Sequence, residues 1–414
     1  MLEDAFKPYK EALANDFDGN FDLLLQQDEH STRDYLRHKM KYDYHTIQWL
    51  ETMCSASGLF DQAFTESVID SLDFDYCVQP VDWYCIDGGT SLIVDKILEM
   101  IKGKVQYKKR VTSIAIDRTV MSESNMVVKV SKEEVPRKYA TVFNTTSLAC
   151  MERMDLKGAE LHPAQKDAIR TLHYDISGKV AIKFNHPWWV TKCGITKAGV
   201  ASTDLPLRSC VYPSYSISDS TSKPAVLLCS YTWAQDAQRI GSLITDNSPE
   251  GEEELVDVIL RNLARLHANS ISYDEIHEAY MTHYSWDWSK DQYTSGAFAL
   301  FGPGQFANLY PYLVRPAADA KLHILGEAAS AHHAWLVGSL DSAYRAVHHF
   351  LQRFELYDGL TKLQLEWGTN GEMETGDNGT AHLQVALGRL RPEEHVWLGR
   401  ADDLDDYVIV PRGV

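Results

Sequence analysis

Over roughly the first 70 residues, apolar positions recur every three or four places in a polar background. Tyr35, Met40, Tyr44, Ile47, Leu50 and Met53 fall near one stripe, and SASGLFDQAF interrupts it. This pattern predicts a helical segment over residues 1–80. A short apolar stretch, Trp83-Tyr84-Cys85-Ile86, then meets Asp87-Gly88-Gly89. Behind it, SLIVDKILEMIKG puts Leu92, Ile93, Ile97 and Ile101 on one face of a helix. The paired glycines permit a sharp turn at the mouth of that helix.

The period then shortens to two. RVTSIAID, MVVKV and YATVFNTT alternate or carry β-branched runs, as do GKVAIKF and AVLLCSYTW further on, and each predicts a strand. ELVDVILRNLARLH reads as a helix, so the simplest architecture is a mixed sheet with helices. Near the end KLHIL meets Gly326-Glu327, and small residues (Ala328, Ala329, Ser330, Ala331) lead into HHAWLVGSLDSAYRAVHHFLQRF. There Leu336, Leu340, Ala343, Val347, Phe350 and Phe354 repeat at three or four residues, which predicts a strand, a tight loop and a long amphipathic helix. Beyond about residue 358, GTNGEMETGDNGT and DDLDD predict a partly ordered acidic tail.

Composition narrows the function classes. Of 414 residues, 44% are apolar, enough for a sizeable core, and the formal charge of −18 repels phosphate backbones and anionic lipid. Nucleic acid and membrane are therefore not expected partners. The acidic opening MLEDAFKPYKEALANDF lacks the basic flank and apolar run of a signal peptide, so a cytoplasmic location is expected. The seven cysteines are scattered without a CxxC, and the His332-His333 and His348-His349 doublets lack partners at ligand spacing, so buried thiols are expected and no metal site.

The chemistry-bearing segment is the one around residues 322–354. A helix N-terminus presents unpaired N–H groups and a partial positive charge, which suits an electron-rich ring that becomes anionic on reduction. Gly326 lets the backbone approach a ligand, Glu327 can accept hydrogen bonds from ligand hydroxyls, and Trp335 puts an aromatic wall at the helix mouth. A plain strand-to-helix connection with a core tryptophan is the alternative reading of the same residues.

GEAASAHHAWLVGSLDSAYRA resembles the C-terminal flavin motif of the flavin-containing amine oxidases, and Trp335 places the resemblance in the L-amino-acid oxidase branch. IDGGTSLIVDKI, RVTSIAID, SGKVAIKFNHPWW, STDLPLRSCVYP and YTSGAFALFGPGQF are similar to segments of the same family in the same order, over nearly all of residues 30–355. The resemblance implies FAD as cofactor, with Val111 at the adenine through its backbone and Gly326, Glu327, Leu336 and Val337 along the flavin. It implies Lys179 as the active-site lysine that orients a water, Tyr212 as the holder of the substrate carboxylate, and Trp335 as a substrate-cage wall. The implied reaction takes a hydride from Cα of an L-amino acid to flavin N5, hydrolyses the imino acid to keto acid and ammonia, and returns the electrons to O2 as peroxide. The implied fold class is α+β (α/β), an incomplete FAD-binding domain with a mixed-sheet substrate domain and a helical segment. The corresponding division is 1–80 helical, 81–150 FAD-domain part, 151–285 substrate-binding, 286–355 C-terminal FAD-domain part and 356–414 tail.

The family opens with a strand, GxGxxG and a helix that seat the FAD pyrophosphate, and this sequence has no such opening. Gly302-Pro303-Gly304 is a decoy, because Pro311 and Pro316 would break the crossover helix behind it. Arg208 lies close to Tyr212 in the chain but does not match the family's carboxylate-pairing arginine. Without a pyrophosphate seat, weak FAD binding by this chain alone is expected. The expectation is an FAD-dependent L-amino-acid oxidase whose partners are a small-molecule amino acid, O2, and a complementary N-terminal chain or a second copy. A truncated product is one alternative, and a flavin-free pseudo-oxidase acting as a binding or accessory protein is another.

Overall fold

The computed structural model describes residues 1–15, 17–54, 56–74, 84–101, 103, 105–215, 217–245 and 251–368. Trp83, Cys77 and the acidic tail beyond residue 368 lie outside them. Ten strands are described: β1 (Val111–Ile116), β2 (Met126–Val130), β3 (Arg137–Tyr139), β4 (Val142–Asn144), β5 (Ser177–Phe184), β6 (Gly199–Ser202), β7 (Ser209–Tyr212), β8 (Ala225–Trp233), β9 (Tyr280–Asp287) and β10 (Leu322–Ile324). They form an antiparallel sheet β1-β2-β3, a parallel pair β10-β4, and a five-stranded antiparallel sheet in the order β6-β7-β8-β5-β9. No helix of the described residues is long and apolar enough to cross a membrane.

Two hydrophobic cores hold these parts. One face of the five-stranded sheet is sealed: Val180, Ile182 and Phe184 of β5 and Leu227 and Cys229 of β8 point at Leu255, Ile259, Leu260 and Leu263 of the Glu253–Leu266 helix. The spacing of those four apolar positions gives the helix one buried stripe, and the alternation along β5 gives the strand one buried face. Burying a leucine or isoleucine side chain in this way contributes roughly 1.5–3 kcal/mol.

The other core joins the N-terminal helices to the small sheet and the segments around residues 299–331. Phe6, Leu36, Phe64 and Val68 pack with Ile114 and Met126 of the small sheet, with Met151 and Ile169, and with Phe301, Leu313 and Leu322. Residues 151–172, expected to open the substrate-binding part, contribute to this core as well. Met151, Leu161, Ala168, Ile169 and Leu172 belong to this core, and the sheet core begins only at β5. Among the described residues of the 1–80 segment, Phe6, Leu36, Phe64 and Val68 are buried in this same core.

Gly302-Pro303-Gly304 leads into two four-residue helices, Gln305–Asn308 and Tyr310–Leu313, with Pro311 at the start of the second. The region expected to be a tail begins with a helix, Tyr357–Trp367, laid against the Leu336–Arg353 helix; Tyr344 donates to the Gly368 carbonyl at 2.9 Å.

Candidate active site

The uncovered face of the five-stranded sheet carries the lysine. Lys179 pairs across the sheet with Tyr231 of β8 on one side and Trp286 of β9 on the other. Its Nζ stands 4.4 Å over the Tyr231 ring, a cation–π contact in a half-buried setting. Burial lowers the Lys179 pKa, because the charged amine loses water there. Trp233 packs on Tyr231 with ring centres 4.2 Å apart, and the Trp286 indole N–H has no hydrogen-bond partner among the described residues.

Tyr231 and Trp233 are the residues the sequence pattern missed. Strict alternation from Leu227 and Cys229 would send residues 231 and 233 into the sealed core. Val180 pairs with Ser230 but Ala181 with Leu228, so Cys229 is an extra residue, a bulge. The bulge reverses the alternation, burying Ser230 and Thr232 and turning Tyr231 and Trp233 toward Lys179.

Tyr212, expected to hold the substrate carboxylate, lies on the other side of the sheet from Lys179. Tyr212 follows Cys210 by two residues and shares its sealed side of the sheet, opposite to Lys179. Its hydroxyl is bound to His267 Nε2 at 2.8 Å, and burial raises its pKa. It packs the core and does not face the lysine.

The Gly326–Trp335 loop is built from opposing constraints. Gly326 has φ +133°, open only to glycine, and nothing lies within 4 Å of where a Cβ would stand, so its surface is free to receive a ligand. Both Glu327 oxygens are engaged, Oε1 by the Ala299 N–H and Oε2 by the Ala334 N–H, each at 3.0 Å. As folded, Glu327 ties the loop together, holding Ala334 at φ +65°, and each oxygen keeps a further lone pair. The histidine doublet anchors the same loop to the Phe64–Phe74 helix: His332 Nδ1 meets Asp73 at 2.8 Å and His333 Nδ1 meets Glu66 at 2.8 Å. Trp335 rests edge-on against Phe74, with ring centres 5.1 Å apart.

Trp335 precedes the Leu336–Arg353 helix and provides no side-chain cap, and Gly338 in its first turn packs closely against Ser330 and His332. Leu336 and Val337 are exposed. An open glycine backbone, a helix N-terminus without a side-chain cap and an apolar wall fit the ring and ribityl portions of a flavin. The sequence holds no glycine-rich phosphate cradle to complement them.

One connection links this loop to the lysine face. The segment ahead of β5 pairs with residues 297–300, since Asp175 N–H donates to Phe298 at 2.8 Å and Leu300 N–H to His173 at 3.0 Å. Ala299, within that pairing, is the residue that donates to Glu327. Val111 is not on this connection; it opens β1 in the small antiparallel sheet, beside a bulge.

A family model for flavin-containing amine oxidoreductases matches residues 14–349. The chain is 37% identical over 401 residues to L-amino-acid oxidase 4 of Hebeloma cylindrosporum, covering 90% of this chain and 63% of that protein. It is 39% identical over 382 residues to a bifunctional amine oxidase of Dictyostelium discoideum, covering 90% of this chain and 34% of that one. It thus spans between about a third and under two thirds of the length of these curated relatives. Among solved structures, cyclohexylamine oxidase from Brevibacterium oxydans superposes with a TM-score of 0.60 at 15% identity, covering 83% of this chain and 74% of that chain, which shows a shared fold. With four fifths of its length inside the family match and L-amino-acid oxidases among its relatives, this chain belongs to the flavin-containing amine oxidoreductase family, in its L-amino-acid oxidase branch.

Proposed function

We propose that this chain carries the substrate-oxidising face of an FAD-dependent L-amino-acid oxidase, which turns an L-amino acid, water and O2 into keto acid, ammonia and peroxide. The observation that carries this reading is Lys179, half-buried between Tyr231 and Trp286 on the one face of the sheet that no helix of its own core seals. The chemistry FAD supplies when bound is acceptance of two electrons from Cα and their transfer to O2.

The remaining work falls to side chains. Lys179, its pKa lowered by burial, holds a water at the reacting carbon and keeps the substrate amine neutral by taking up its proton. The Tyr231 hydroxyl and the unpartnered Trp286 N–H are donors for the substrate carboxylate, the task first expected of Tyr212. Trp335 closes the amine side. Gly326, Glu327, Leu336, Val337 and Val111 would hold the cofactor, and the N–H groups at the head of the Leu336–Arg353 helix would steady negative charge on the reduced ring.

The test is the full chain purified with FAD and challenged with a panel of L-amino acids, reading peroxide release and anaerobic bleaching of the flavin bands. Tyr231→Phe is expected to raise KM by roughly tenfold or more, as for a hydrogen bond to a charged group, and Tyr212→Phe to leave it unchanged. The reverse ranking would return the carboxylate to Tyr212. The contrasting reading is a flavin-free binding protein. A folded chain that remains colourless with FAD and releases no peroxide would establish it.

A further inference from the structure

A cavity opens at the start of β5 and the end of β8. Ile176 and Ala234, the residues just before β5 and just after β8, line a cleft of about 410 Å³ together with the Gly58–Gln62 turn and Gln305. Its lining holds two carboxylates, Asp61 and Asp175, and amides of Gln62, Gln235 and Gln238, but no lysine or arginine. Asp61 is a rim residue already paired with Arg33 at 2.6 Å. Asp175 differs: it is 2% exposed, its Oδ2 has no hydrogen-bond partner, and no described ion pair includes it. A buried carboxylate without a counter-charge is costly unless something cationic comes to it.

Asp175 also lies near the proposed chemistry. It lies four residues ahead of Lys179 and shares its parity, so the two Cα atoms are at most about 13 Å apart at the usual strand rise. Its charge also reaches Tyr231, whose ring stands under the Lys179 amine. We propose that this cleft receives the cationic end of a basic L-amino acid, an ammonium or guanidinium, and that Asp175 selects it while the α-carbon lies against the Lys179 face. This rests on the oxidase reading and names its substrate class. The groups facing Asp175 are consistent with that task. His173, its Nδ1 bound to the Leu300 carbonyl, and the N–H groups of Ile176 and Ala234 favour the carboxylate form, whereas burial opposes it and sets its pKa at about 6.

Calorimetric binding of L-lysine, L-arginine and uncharged L-norleucine to the full chain tests this without turnover. The basic amino acids should bind roughly tenfold to a hundredfold more tightly than norleucine. That preference should fade below about pH 6 as Asp175 takes a proton. Asp175→Asn should erase the preference and Asp175→Glu restore part of it. Equal binding of lysine and norleucine by the unaltered chain would overturn the inference, as would a preference that survives in Asp175→Asn or shows no pH dependence. If norleucine is bound and oxidised as well as lysine, only this inference falls and the oxidase reading stands.

Discussion

The two sides of the proposed site are finished to different degrees. The five-stranded sheet has one face sealed by helices, and even its buried charge is matched: Glu252 accepts from His283 at 3.0 Å, from the Thr245 N–H at 2.7 Å and from Ser285. The flavin-type segment is built the other way round. The Leu336–Arg353 helix buries Gly338, Ser342, Arg345, Ala346, His348 and His349 and turns Leu336, Val337, Leu340 and Val347 outward. The Ser91–Met100 helix buries no residue, leaving Leu92, Val94, Ile97 and Leu98 exposed. An amphipathic pattern states which face needs cover; it does not say that the same chain provides it.

The comparison breaks most visibly at Lys179. If the open sheet face is where chemistry happens, Lys179→Met in the FAD-loaded chain lowers kcat/KM about 10²–10⁴-fold, the range for loss of a positioned proton carrier. Thermal stability should hold, since the half-buried amine forms only a cation–π contact. A drop in stability with little change in rate would make Lys179 a packing residue. The sealed face should answer in the opposite currency: Ile259→Ala, at a fully buried position, is expected to cost about 2–5 kcal/mol in urea unfolding with KM unchanged.

What the sequence made legible follows from which rules are local. The strands at GKVAIKF, AVLLCSYTW and KLHIL, and the helices at ELVDVILRNLARLH and after Trp335, lie where periodicity puts them, because hydrogen-bond geometry imposes that periodicity. The family is legible too, through motifs in a fixed order. Orientation was less accessible. One extra residue at Cys229 reverses which aromatics face Lys179, and no alternation count along β8 alone reveals a bulge that exists only in its pairing with β5. The side of the sheet that Tyr212 takes was equally hidden, because a tyrosine before proline fits either face of a strand. Asp175 stands in an unremarkable HYDISGK, and its importance lies in what fails to pair with it after folding.

The two regions should also separate in pH. Asp28 is fully buried in the core shared with the N-terminal helices, where it accepts the Ala307 N–H at 2.9 Å; desolvation still dominates and raises its pKa from 3.8 to about 6. A carboxyl whose folded pKa is raised binds more protons folded than unfolded across that window, so stability falls as pH climbs from about 4 to 6 and levels above. Asp28→Asn removes this loss. Its advantage over the unaltered chain should be near zero at the acidic end and reach about 2–3 kcal/mol above pH 6, read from denaturant midpoints. An advantage independent of pH would place the cost in packing instead of charge.

The smallest effect on stability is expected where the surface is most apolar. Leu340 is 62% exposed on the outward stripe of the Leu336–Arg353 helix, so Leu340→Lys removes no buried contact and should shift unfolding by no more than about 0.5 kcal/mol. Its consequence lies in association. A contiguous apolar stripe exposed to water promotes self-contact or contact with a partner, and one charge in its middle opposes both. Sedimentation of the unaltered chain should therefore reveal concentration-dependent association that Leu340→Lys reduces, and a lysine at exposed Val226 on the five-stranded sheet should not reproduce this. Should both substitutions act alike, or neither act, the contrast between a sealed sheet and an uncovered helix would describe exposure without consequence.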